Sequence, residues 1–212
     1  MQAWFWRGVN NNQNAIYLEC FIDELAQAAG QDPLAFRRKM MAKFPKHLGV
    51  LNAVAERVGW DKPAPQGIFR GLAQHMGYGS YVAAAAEVSV TGNKVKMHRI
   101  VAATNPGHAV NPAQIERQIA GSFVYGLSAL FHGGITIKDG AVVETNFDTY
   151  GSLRMSEMPK VESIIMPSND FWGGVGEPTI FVAAPAVLNA IFAATGKRIR
   201  TFPLKNQNLQ IA

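Results

Sequence analysis

The spacing of apolar residues changes partway along the chain, and that change limits the possible folds more than any other feature. Before Trp60 apolar side chains recur at helical spacing, and after Gly67 they fall in strand-type runs. Between them, Trp60 to Gly67 holds Pro63, Pro65 and Gly67 beside Asp61 and Lys62 and reads as a connector.

In the front part, Asn14 to Ala29 carries Ile16, Cys20 and Leu25 at helical spacing and stops at Gly30. Asp32-Pro33 looks like the cap and start of a second helix through Met41, and a third, about Lys46 to Val58, stops at Gly59. Beyond the connector, Gly71 to Tyr78, Ser80 to Val90 and Lys94 to Thr104 read as neighbouring antiparallel strands, the last two joined by a Thr91-Gly92-Asn93 turn. Pro112 opens a helix through Leu130, whose Gly121 and Gly126 suggest close packing on another backbone. Gly133 to Phe147 resembles a second hairpin turning at Lys138-Asp139-Gly140. A glycine-rich loop at 173–176, a helix from about Phe181 to Ala194, a stop at Gly196 and a short strand complete the chain. The expected class is α+β, with helices packed on mixed, mainly antiparallel sheets. The helical part spans about 1–60 and the mixed α/β part about 67–212.

Composition narrows the chemistry. A 212-residue chain that is 48% hydrophobic and 17% charged buries a sizeable core. A net charge of +5 suits phosphate-bearing ligands or acidic partners and falls short of a nucleic-acid footprint. The single cysteine, Cys20, excludes an internal disulfide framework, a thiolate zinc site and a Cys-ligated iron–sulfur cluster within these residues, and reads as a small buried hydrophobe. His47, His75, His98, His108 and His132 form no pair at metal-ligand spacing, so no metal-binding residue is assigned. Arg37, Arg38 and Lys39, and the trio Lys197, Arg198 and Arg200, read as solvated faces at helix ends. No uninterrupted apolar run reaches the roughly 18 residues of a membrane span. The opening, Met1 to Arg7, has no basic leader and starts on aromatics, as though inside a folded unit.

The most informative run is Gly173-Gly174-Val175-Gly176-Glu177-Pro178, which sets one carboxylate among glycines that let the backbone approach a ligand. Taken bare, it is either a structural turn or the seat of a general base; it lacks the spacing of a P-loop or a dinucleotide fingerprint. With the downstream Ala183 to Arg200 it resembles the C-terminal end of the molybdopterin-binding large subunit of molybdenum hydroxylases. That is the xanthine dehydrogenase and aldehyde oxidase family, in its isoquinoline 1-oxidoreductase-like branch. The resemblance extends through Trp6-Arg7-Gly8-Val9, Phe21-Ile22-Asp23-Glu24-Leu25-Ala26, Asp32-Pro33, Ala86-Glu87-Val88, Val110-Asn111-Pro112, Gln118-Ile119-Ala120-Gly121 and Asn146-Phe147.

The resemblance implies that Glu177 is the catalytic base, taking a proton from a hydroxyl on the molybdenum. Such chemistry needs a carboxylate that is ionised yet basic enough to accept a proton, which favours partial desolvation. It implies cofactor contacts from Val175 and Gly176, from Gln118, whose amide offers donors and an acceptor, and from Arg7, in a loop against the metal centre. For Gln118 an exposed helical glutamine is the competing reading. Asn10 stands where the branch has glycine, and Asn105-Pro106-Gly107 where the family has Asp-Cys-Gly; the latter reads as structural.

The implied cofactor is molybdenum–molybdopterin in its cytosine dinucleotide form. The implied reaction oxidises an aldehyde or N-heteroaromatic carbon with water-derived oxygen and passes electrons to an iron–sulfur small subunit. The family's Gly-Gln-Gly segments are absent from these residues. The expectation is therefore the C-terminal portion of a larger subunit, inactive and without cofactor as a lone chain. Its partners would be the remainder of that subunit, with homo-oligomerisation open and no nucleic acid. It would also expose an apolar face around Trp4, Phe5 and Trp6. The alternative is a non-catalytic binding or assembly module that keeps the fold.

Overall fold

The structure is a computed structural model and describes residues 5–212; Trp4 therefore lies outside the described residues. Three helices lead. α1 (Asn11–Ala28) starts three residues before the expected point and turns Ala15, Glu19, Ile22 and Ala26 inward at helical spacing. α2 (Pro33–Met40) begins where Asp32 Oδ1 accepts the Ala35 N–H at 2.8 Å. α3 (Pro45–Val58) ends on Gly59 at φ +70°, the left-handed stop that glycine adopts freely.

The central sheet runs in the order β1 (Phe69–Gly77), β2 (Ser80–Thr91), β3 (Lys94–Asn105), β6 (Lys160–Ile165), with the last strand entering after the helix α4 (Pro112–Phe131) and two short strands. The β1–β2 and β2–β3 pairs are antiparallel, as expected, whereas β3–β6 is parallel, Arg99 facing Lys160 and Thr104 facing Ile165. β7 (Gln210–Ile211) also pairs parallel with the start of β3. The expected second hairpin shrinks to β4 (Ile137–Lys138) and β5 (Ala141–Val142), turning on Asp139 and Gly140, both at positive φ.

Both faces of the sheet are covered, which explains the alanine run in β2. Ala83 and Ala85 pack with Leu72, Val101 and the α3 residues Val50, Leu51 and Val54. Ala84 and Ala86 face the opposite core, built from Ile119, Phe123 and Leu127 of α4 (Pro112–Phe131) and from α5 (Ala183–Thr195). Small side chains let helices lie close on either side. At Gly71 a Cβ would fall onto the α5 backbone at Ala190, Ala186 and Asn189, so glycine is required there.

A 3-10 turn (Pro178–Val182) leads into α5, which starts two residues later than the periodicity suggests. Together they form an 18-residue segment, Pro178–Thr195, with mean hydropathy 1.6, long and apolar enough to cross a membrane; 78% of it is buried inside the molecule. It is not an uninterrupted apolar run, since Thr179, Pro185 and Asn189 fall within it, and its burial shows the apolar surface used inside the molecule.

Lys39, Lys197 and Arg200 are exposed, as expected of solvated faces, but one arginine in each basic run is not. Arg37 is fully buried: Nε meets Glu19 Oε2 at 2.9 Å and Nη1 meets Asp23 Oδ1 at 3.2 Å. Arg198 lies over the Phe192 ring at 3.9 Å and pairs with Asp23 and Glu24. Burial pushes the Glu19 and Asp23 carboxyls up, and the arginines oppose that shift. Opposite charges from α1, α2 and the chain beyond α5 meet here, which helical spacing within one element does not reveal. Cys20, as expected, is buried.

Candidate active site

The glycine loop ahead of Glu177 is held on two sides. Gly173 N–H donates to Pro106 O at 2.7 Å, Gly174 N–H to Tyr78 O at 2.8 Å, and Ser80 Oγ–H to Gly174 O at 2.5 Å. A Cβ at Gly173 would strike Ser80 Oγ and Gly79. Asn105-Pro106-Gly107 has the structural part expected of it: Asn105 Oδ1 accepts from Gly107 N–H and Ser168 Oγ, both at 3.0 Å.

Glu177 sits half-buried at the start of the 3-10 turn. Its Oε1 accepts the Gly8 N–H at 2.9 Å, while Oε2 has no hydrogen-bond partner among the described residues. The Arg7-Gly8-Val9 loop thus reaches the carboxylate from the other end of the sequence. Arg7 Nε donates to Gly176 O at 2.8 Å, and Nη2 to Gln118 Oε1 at 2.9 Å, Gln118 O at 3.2 Å and Ser122 Oγ at 2.9 Å. The guanidinium also lies 5.6 Å from the Tyr125 ring centroid. Burial lowers the Arg7 pKa, and Tyr125 and Glu177 counter it.

Gln118 is exposed on α4. Because a guanidinium only donates, the amide must turn its oxygen toward Arg7, which leaves Nε2 to donate outward. Gln118 and Val175 line the same cleft, of about 310 Å³, with Gln114, Ile115 and Trp172. Trp172 is stacked on His108 at 5.4 Å between centroids and 16° between planes.

The structure therefore brings Arg7, Gly176, Glu177 and Gln118 into one connected group and sets Val175 beside Gln118. Arg7 works here as a brace between the glycine loop and α4. Sequence reading passed over Ser122, Thr179 and Asn12. Ser122 follows Gln118 by one helical turn and was within reach of a periodicity argument. Thr179, whose hydroxyl donates to Ser122 Oγ at 2.7 Å, and Asn12 carry no such local signal. No group of three or more potential metal ligands occurs among the described residues.

The model of the molybdopterin cofactor-binding domain matches residues 26–159. The membrane-bound aldehyde dehydrogenase (pyrroloquinoline-quinone) of Gluconacetobacter polyoxogenes is 29% identical over 220 residues, covering 94% of this chain and 28% of that protein. Isoquinoline 1-oxidoreductase subunit beta of Brevundimonas diminuta is 27% identical over 206 residues, covering 95% of this chain and 26% of that one. The chain thus spans about a quarter of the length of these curated relatives. In fold it is similar to the crystal structure of quinoline 2-oxidoreductase from Pseudomonas putida 86, with a TM-score of 0.80 at 12% identity, over 94% of this chain and 51% of that one.

Proposed function

Because the chain belongs to the family of molybdopterin cofactor-binding domains, we propose that it forms part of a molybdenum hydroxylase large subunit in which Glu177 is the general base. The observation that carries this reading is the half-held carboxylate: Gly8 N–H fixes Oε1, and Oε2 is left to take a proton. A positioned base whose second oxygen is unpaired is what general-base chemistry asks of a carboxylate.

The donor set of the cleft fits the pterin. Gln118 Nε2 and the Gln114 amide would supply hydrogen bonds to it, and Ile115, Val175 and Trp172 would supply apolar walls for a flat heterocycle. When bound, the molybdenum centre supplies the two-electron redox chemistry of hydroxylation. Arg7 holds the Gly176 carbonyl and orients Gln118. Glu177 accepts, at Oε2, the proton of a water-derived nucleophile as the new carbon–oxygen bond forms.

The substrate class we propose is an aldehyde or an N-heteroaromatic ring, with electrons leaving to an iron–sulfur small subunit and the cofactor in its cytosine dinucleotide form. The relatives named for isoquinoline and aldehyde support this class. One of those names also mentions a quinone, so metal analysis of the complete enzyme is decisive: one molybdenum per large subunit supports the reading, and a quinone without molybdenum overturns it.

The role of Glu177 is tested by Glu177→Gln in the complete enzyme, which keeps size and hydrogen bonding and removes basicity. Molybdenum content should persist while kcat falls by about 10² to 10⁴-fold, the usual size of a general-base contribution. Near-normal turnover with full molybdenum would overturn the assignment and favour a glycine-rich turn that merely shapes the pocket.

A further inference from the structure

Unfavourable local features are concentrated in the few residues that present Gly8 to Glu177. Gly8 sits at φ +87°, which glycine adopts freely, but Val9, a β-branched residue, is held at φ +48°, where its side chain is strained. Asn12 Nδ2 donates to Arg7 O at 2.6 Å and to Val9 O at 3.3 Å. Two carbonyls can be met only by the NH₂ end of the amide, so its orientation is settled by chemistry. Its Oδ1 is consequently left buried without a hydrogen-bond partner among the described residues. A Cβ at Gly8 would come within 2.5 Å of that same oxygen.

Strained backbone and a stranded acceptor persist together only where surrounding contacts hold them, and such features cluster at functional sites. Besides the Arg7 brace, this loop delivers one contact to the carboxylate, the Gly8 N–H at 2.9 Å from Glu177 Oε1. We propose that Asn12 is a positioning residue for Glu177: its amide ties the Arg7 and Val9 carbonyls so that the Gly8 N–H points at the carboxylate and turns Oε2 toward the reacting atoms. This rests on the reading of Glu177 as base. The role is indirect, through the backbone of residues 7–9.

The test uses the complete, molybdenum-loaded enzyme and three variants, Asn12→Ala, Glu177→Gln and the two combined. Hydrogen exchange of the segment containing residues 7–9 is followed alongside kinetics. Asn12→Ala should speed exchange in that segment, keep molybdenum content and KM, and lower kcat about 10- to 100-fold, as expected of a small misplacement of a catalytic group. In the double variant turnover should equal that of Glu177→Gln alone, because a residue acting only through Glu177 adds nothing once the base is gone. If Asn12→Ala fails to fold, the near-isosteric Asn12→Asp takes its place, setting carboxylate oxygens against the same carbonyls.

Unchanged exchange in the Asn12 variant overturns the tethering role. Faster exchange with wild-type kcat, beside a Glu177→Gln variant whose kcat is reduced, overturns the positioning role. A fully active Glu177→Gln overturns the underlying reading instead, so the two failures are distinguishable.

Discussion

The Arg7 guanidinium and the Gly176 carbonyl stand 169 positions apart in sequence and 2.8 Å apart in space. Through that contact the beginning of the described chain braces the loop that carries Glu177. The same guanidinium reaches Gln118 and Ser122 on α4, so one side chain ties three segments.

Lysine should not replace that brace. Arg7→Lys keeps the charge but loses the planar fork that meets Gly176 O and Gln118 Oε1 together. Both Arg7→Lys and Arg7→Ala should lower stability by about 1–3 kcal/mol, the scale of hydrogen bonds to a charged group. Denaturant unfolding measures this, and a lysine variant as stable as wild type would show that charge alone suffices.

The buried pairs around Arg37 make a larger prediction. Arg37→Met removes the cation and leaves Glu19, itself 1% exposed, without its ionic partner. The expected loss is about 3–5 kcal/mol, as when one partner of a buried pair is deleted. Removing Glu19 and Asp23 as well, in favour of apolar residues, should recover part of it. Unfolding midpoints of the single and multiple variants decide the matter.

Acid stability should depend on Glu162. Arg99, Arg57 and Lys160 hold its carboxyl down to about 2, from an ordinary value of 4.5. A depressed carboxylate stabilises the fold above its unfolded value, and that contribution is lost as pH falls from 4.5 through about 2. Glu162→Gln should therefore lower Tm near neutrality and flatten its decline across that window. A parallel decline in both proteins would contradict this.

Two glycines should respond in opposite directions to alanine. Gly71→Ala drives a Cβ into the α5 backbone and should cost several kcal/mol, about 3 or more, or prevent folding. Gly49, inside α3, has only Met166 Cε at 3.8 Å from the same added atom. Gly49→Ala should stabilise by up to about 1 kcal/mol through helix propensity. Thermal unfolding of both variants compares them directly.

Local sequence determined what local physics controls. The stops at Gly30, Gly59 and Gly196 depend on left-handed backbone that glycine adopts freely, and Asp32 and Asn111 cap the helices that follow them. The β2–β3 hairpin and the class of the fold followed from periodicity and turn residues in the same way. Glu177 stood out because its glycines and proline are its immediate neighbours.

Tertiary structure decided the rest, because the contacts that matter join residues with no shared local pattern. Lys160–Ile165 becomes a parallel strand only because β3 offers its free edge. Arg37 and Arg198 look like surface charges until Glu19, Asp23 and Glu24 of α1 are brought against them. Gly8, Asn12 and Ser122 join the candidate site only when the first described loop, α4 and the 3-10 turn meet. Periodicity reports which face of an element is buried; which charge, donor or strand edge lies opposite depends on chain packing over more than a hundred residues.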